Sequence, residues 1–312
     1  MNAKLILSLI VFTPIAGAFI LPLFTPISRK TRNIAALILV SISVILSFIA
    51  LPRSISDAPL QFNFEFPLGF NFGFLGDGLA VFMAIVSAFI GAIIIFYSFG
   101  YISHYKNQTE YYLMMVLFIG SMMGIVYSTN LIFLFVFWEI SGICSWRLIG
   151  FYREKEYVIK ADKAFLVTVS GALFMLAGFI LIYFQTGTFD MIKLRGTKIP
   201  DVAVLLILFG IFSKSATLPM HTWLPDAGVA PSPVTSLLHA AVLVKIGVYV
   251  FARLFLVTFD ISFFWHTVIP VIAGVSALVA AGAALIETDL KRLIAYSTVS
   301  QIAFIFLGLS AG

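Results

Sequence analysis

Charge is what this chain has least of. Only 11% of its 312 residues are Asp, Glu, Lys or Arg, against 61% hydrophobic, where a soluble domain carries roughly 25% and 45–50%. With a mean hydropathy of +1.09, the chain reads as an integral membrane protein and not as a water-soluble enzyme or regulator. Cysteine is nearly absent too. Cys144 stands alone inside an apolar run, which excludes a disulfide framework, a cysteine-held iron–sulfur cluster and a thiolate zinc site within the chain. The four histidines, His104, His221, His239 and His266, are scattered without a Cys-x-x-Cys-His, which argues against haem. The ten-residue alternation of a barrel strand is missing, whereas apolar runs of about 20 residues, the length that crosses hydrocarbon as helix, follow one another. The expected fold is all-α, a polytopic transmembrane bundle in one membrane domain over residues 1–312, since no low-complexity linker divides it. The net charge of +5 sits in loops beside the spans, where orientation and lipid headgroups explain it better than nucleic acid does.

Apolar runs and their interruptions predict ten spans, about 4–24, 34–51, 78–99, 112–128, 131–150, 163–184, 202–218, 234–257, 267–286 and 292–311. The first run lacks a convincing cleavage site and is expected to be a retained span. Arg29, Lys30 and Arg32, then Arg153, Lys155 and Lys160, then Lys291 and Arg292 fall in loops on one side. The positive-inside rule makes that side cytoplasmic and puts both termini outside. Lys193, Arg195 and Lys198 in the loop 186–200 point the other way and are outnumbered. The aromatic loop 52–76 is expected to lie on the membrane surface or to pack as a short hairpin.

Three ionisable groups cannot be dismissed as loop residues: Glu139 in "LFVFWEISGICSW", Lys214 in "FSKSATLPMHTW" and Lys245 in "LLHAAVLVKIGVYVFA". Each costs a few kcal/mol in a membrane unless paired or wetted, so each is a candidate functional residue. Glu139 is too short to snorkel out, and Lys245 is too deep. Arg147, eight residues after Glu139, reads as an interfacial anchor. Pro219, just beyond Lys214, breaks the seventh helix, and a discontinuous helix at membrane depth is tolerated only where protein or water lines a cavity. The carbonyls of a helix end favour a cation, so the lysine ammonium is expected beside those the break frees. Burial favours a neutral amine, while a carboxylate at about 4 Å is worth about 4 kcal/mol to an ammonium at an effective dielectric near 20. A Glu–Lys pair whose spacing can change is therefore a proton switch. His239 and the "SPVTSLLH" hydroxyls could extend a hydrogen-bonded path toward Lys245.

The stretches "VFWEISGICSWRLIGFY" (136–152), "FSKSATLPMHTWLPDAGVAPSPVTSLLHAAVLVKIGVY" (212–249) and "ETDLKRLIAYSTVSQIAFIFLG" (287–308) resemble the antiporter-like proton-channel subunits shared by respiratory complex I, membrane-bound [NiFe] hydrogenases and Mrp-type sodium/proton antiporters. The resemblance implies that Glu139 and Lys214 form the central proton-translocating pair, that Lys245 and His239 carry the polar axis onward, and that His221 accompanies them. It implies no cofactor on this chain. It also implies other membrane subunits and a peripheral redox module as partners, with protons as the transported ions and sodium as a further candidate. A first repeat would span about 112–257, and the start of a second about 267–312. Family members usually carry about fourteen helices in two inverted repeats, so a neighbouring subunit is expected to complete the second half-channel. A shortened subunit of this kind fits a membrane-bound hydrogenase-like complex somewhat better than standard complex I. The alternatives are an accessory scaffold with a vestigial channel and an Mrp-type antiporter subunit. A multi-pass location in a prokaryotic cytoplasmic membrane is expected.

Overall fold

The computed structural model describes residues 2–55, 59–65 and 71–311. The all-α expectation holds for the body of the molecule. Nine helices long and apolar enough to cross a membrane occur among the described residues. They are α1 (Ala3–Phe24), α2 (Arg29–Ser54), α3 (Gly78–Tyr101), α4 (Gln108–Tyr127), α5 (Leu131–Ile149), α6 (Lys155–Thr186), α8 (Ser232–Thr258), α9 (Phe263–Ile286) and α10 (Leu290–Ala311). The tenth expected span, 202–218, is shorter than predicted. Helix α7 (Asp201–Lys214) stops at its lysine after 14 residues.

Short polar residues start the helices. The Asn2 side chain accepts from the Lys4 amide at α1, Ser28 from Lys30 at α2, Asp77 from Ala80 at α3 and Asn130 from Ile132 at α5. Each satisfies a helix N–H that hydrocarbon could not. Inside the bundle, α4 and α8 are enclosed on nearly every side, while α9 and α10 bury only one face each. The outward faces are apolar: Phe184, Phe263, Leu285 and Ile286 are all at least 80% exposed, as expected of surface that meets lipid.

The strands are minor. Of the loop 52–76, residues 56–58 and 66–70 lie outside the described residues. The rest continues α2 to Ser54 and then forms an antiparallel hairpin, β1 (Leu60–Glu65) with β2 (Asn71–Gly76). The hairpin is fastened to the bundle: the Asn130 amide donates to Asn71 O at 2.9 Å, and Phe74 is fully buried. A two-residue parallel pair joins 197–198 to 259–260.

The three basic loops share one end of the molecule. Arg32 donates to Gln108 and Thr109. Arg147 and Arg153 both pair with Glu110, so Arg147 is held by a carboxylate at the helix end. Asp226 joins Lys163 of α6 to Arg292 of α10. At the opposite end Arg253 grips Asp77, which also feels the charge of Arg195. That ties one of the three discordant basic residues of loop 186–200 to a local acidic partner.

Candidate functional site: a buried lysine at a helix break

Helix α5 begins on the Asn130 cap and carries Trp138 and Glu139 about two turns in. Trp138 is wholly buried, and Glu139 is half-buried. Helix α7 runs beside α6 and ends at Lys214, and Pro219, which cannot continue a helix and disfavours it at the residue before, keeps it from resuming. Ala216 turns the chain with φ 52, a left-handed conformation that costs a non-glycine residue of order 1 kcal/mol and persists only where the surroundings enforce it.

The carbonyls at this broken end have partners: Phe212 O accepts from Thr217 N at 3.0 Å and Ser213 O from the Trp223 indole at 2.8 Å. The ammonium of Lys214 crosses instead to the neighbouring helix. It donates to Trp138 O at 3.0 Å, lies 5.1 Å from the centre of the Trp138 ring, and leaves the side chain 1% exposed. Glu139 is within electrostatic reach, yet no ion pair shorter than 4.0 Å joins the two. The lysine is thus held one residue away from the carboxylate, on the backbone of the helix that carries it.

The expected eighth span is not one continuous α-helix. After a first helical turn, residues Ser236–Ala241 form a π-helical turn, Val242 unwinds with φ −133 and ψ −59, and Leu243–Phe251 resume as α-helix. A second π-helical turn, Ala252–Thr258, ends the span. His239 lies in the first of these turns, 2% exposed, with neither ring nitrogen hydrogen-bonded. Interrupted helices of this kind recur at functional sites. Lys245 follows the unwound residue and is half-buried. Its neighbour Val244 presents a carbonyl that accepts from the Ser215 hydroxyl of the break at 3.2 Å. The two interruptions touch because position 247 is glycine: a Cβ there would stand 1.9 Å from Ser215 Oγ and 2.8 Å from Ile211 O. His221, beyond Pro219, is half-buried with its Nδ1 unpartnered, and its ring faces Tyr296 of α10 at 6.5 Å. The structure therefore places Lys214 against α5 beside Glu139, and the α8 segment carrying Lys245 against the break. It gives no direct hydrogen bond linking His221 or His239 to either lysine.

Sequence reasoning overlooked two groups. Trp138 carried no signal beyond its aromaticity. Arg253, an arginine inside "VYVFARLFLV", did carry one, since an intramembrane charge needs a partner. Its guanidinium binds both Asp77 oxygens at 2.6 and 2.7 Å and donates to Tyr249 Oη at 2.9 Å.

Residues 128–312 match the family described as NADH:quinone oxidoreductase/Mrp antiporter, transmembrane region. The chain belongs to this family. Residues 64–112 match the N-terminal part of complex I chain 5. Among curated relatives of this antiporter-like chain, the Na(+)/H(+) antiporter subunit of Alkalihalophilus pseudofirmus is 40% identical over 257 residues, covering 78% of this chain and 31% of the relative. The chloroplastic NAD(P)H-quinone oxidoreductase subunit 5 of Physcomitrium patens is 34% identical over 313 residues, covering 93% and 43%. The chain thus spans less than half the length of these relatives. Among solved structures, the Mrp complex of Dietzia sp. DQ12-45-1b contains a chain superposing with a TM-score of 0.83 at 30% identity, over 97% of this chain and 34% of that one. A chain of the membrane-bound sulfane sulfur reductase, an archaeal respiratory membrane complex, gives a TM-score of 0.89 at 24% identity, over 97% and 64%, and shares the fold.

Proposed function

We propose that this chain is the proton-translocating membrane subunit of a redox-driven complex, and that it moves protons through Glu139, Lys214, Lys245 and His239, with His221 beside the break. One observation carries the reading: a lysine with 1% exposure ends a broken helix and is held on the backbone carbonyl next to Glu139. An ammonium kept at that depth without an ion pair costs several kcal/mol, a cost explained by a group that must move between partners. The chain would hold no redox group of its own, and a peripheral partner module would supply the driving energy. The basic end would face the cytoplasm and both termini the outside.

The outer face of α10 supports a membrane partner. Gln301, midway along the helix, is exposed together with Phe304, and a side-chain amide turned to hydrocarbon costs several kcal/mol. A neighbouring span carrying polar groups would cover it and continue the path beyond Lys245. The 40% identity to a sodium/proton antiporter relative favours a second reading, sodium/proton exchange without redox partners. The composition of the detergent-purified complex separates the two. For the relay itself, Glu139→Gln in an assembled complex should abolish coupled proton transport, as should Lys214→Ala. Transport at wild-type rate in either variant would refute the assignment.

A further inference from the structure

The Lys214 ammonium lies in a small cage on α5 that lacks a carboxylate. Trp138 supplies a carbonyl oxygen at 3.0 Å and an aromatic face at 5.1 Å. One turn later Gly142 borders the ammonium without a side chain: a Cβ at that position would stand 3.4 Å from Lys214 Nζ, in van der Waals contact. Carbonyl and ring belong to one residue, so the cage is built on a rigid helix and moves with it. Trp138 itself is fully buried, and its indole N–H has no hydrogen-bond partner. The side chain is therefore oriented without a hydrogen bond of its own, and its face is turned to the lysine.

We propose that Trp138 and Gly142 form a resting site for the protonated Lys214, a second position from which the ammonium exchanges with Glu139. The inference rests on the relay proposed above. A proton switch made of one lysine and one carboxylate has a difficulty that the geometry resolves. Separating the pair in a low-dielectric interior leaves two uncompensated charges, so the separated state would be too rarely populated to turn over. The Trp138 carbonyl gives the ammonium a charge-assisted hydrogen bond and the ring adds a cation–π contact, which together lower the cost of that state. Trp138 is thus a positioning residue. Glu139, the next residue on α5, is left free to take up or release its proton while the lysine is parked. Gly142 matters because a side chain larger than a methyl there would press on the ammonium, whereas a methyl only touches it.

A fluorinated tryptophan series tests the cage. Replacing Trp138 by mono-, di- and trifluorotryptophan in the full chain of the assembled complex keeps the shape and the carbonyl but withdraws negative charge from the ring face. Proton transport in proteoliposomes should fall stepwise along the series, by about threefold to thirtyfold in total, the range from an exposed to a desolvated cation–π contact. Gly142→Val should slow transport as well, while Gly142→Ala should leave it near the wild-type rate. A flat fluorination series alongside an inactive Lys214→Ala overturns the cage and leaves the relay standing. Transport that survives Lys214→Ala overturns the relay, and the cage with it.

Discussion

Breaking the Asp77–Arg253 clamp should cost this protein a measurable part of its stability, and the structure indicates how much. The guanidinium is 5% exposed and the carboxylate 24%, and two hydrogen bonds of 2.6 and 2.7 Å join them across 176 residues of sequence. Asp77 also caps α3 through the Ala80 N–H at 3.0 Å. Asp77→Asn keeps the cap through its amide oxygen, because Asn caps as well as Asp, while it removes the charge and turns the oxygen that accepts from Arg253 Nη1 into a donor. A buried cation left alone costs about 3–5 kcal/mol, and the partial exposure of Asp77 favours the lower end. At roughly 2 °C per kcal/mol, extrapolated from the size scaling of soluble domains, the Tm of the detergent-purified protein should fall by about 6 °C. If Arg253→Met is already present, no orphaned cation remains, and adding Asp77→Asn should then cost less than about 1 kcal/mol, a coupling that a double-mutant cycle isolates. The pH dependence follows. Burial raises the Asp77 pKa, but the Arg253 hydrogen bonds and charge and the Ala80 N–H outweigh it and hold it below the usual carboxylate value. A depressed pKa contributes stability that is present above the unfolded value of about 3.9 and is lost as pH falls through the folded value. The Tm gap between wild type and Asp77→Asn should stay constant from pH 6 to 9 and close only below about pH 4. An Asp77→Asn protein within a degree of wild type, or strictly additive single and double variants, would show that the clamp does not stabilise the bundle.

Two further outcomes can be checked directly. Gly247→Ala should destabilise by about 1–3 kcal/mol, the usual cost of overpacking, because its Cβ meets Ser215 Oγ and Ile211 O; adding Ser215→Ala should recover part of the lost Tm but not all, and full tolerance of Gly247→Ala would mean that the α7 break and α8 are not packed this closely. For orientation, a cysteine at Gln61 on the exposed edge of β1 should react with an impermeant reagent added from outside, and one at Lys155 at the basic end should not; both positions are exposed in the fold, whereas Leu60 is buried, and the reverse pattern would invert the bundle in the membrane.

The sequence by itself determined the solvent, the helical class and the place of the break. Long apolar runs without charge permit no other spanning structure once every backbone group must be satisfied internally. A lysine five residues before a proline in such a run announces an interrupted helix, because proline acts on the backbone locally, whatever surrounds it. Glu139, Lys214 and Lys245 were legible for the same reason: a charge is costly in hydrocarbon wherever it sits. Tertiary structure decided which groups those charges meet. The carbonyls freed at the break were expected to hold the ammonium, but the segment after Pro219 folds back to give Ser213 O to Trp223, and Lys214 reaches Trp138 O, 76 positions earlier on α5. The π-helical turn around His239 and the Asp77–Arg253 clamp were equally out of reach. The first depends on how α8 fits between its neighbours, and the second joins a helix cap to a residue 176 positions away. Local rules act over a few residues and are written in residue order, whereas the partner of a buried charge is set by which helices lie side by side, and no local pattern along the chain encodes that.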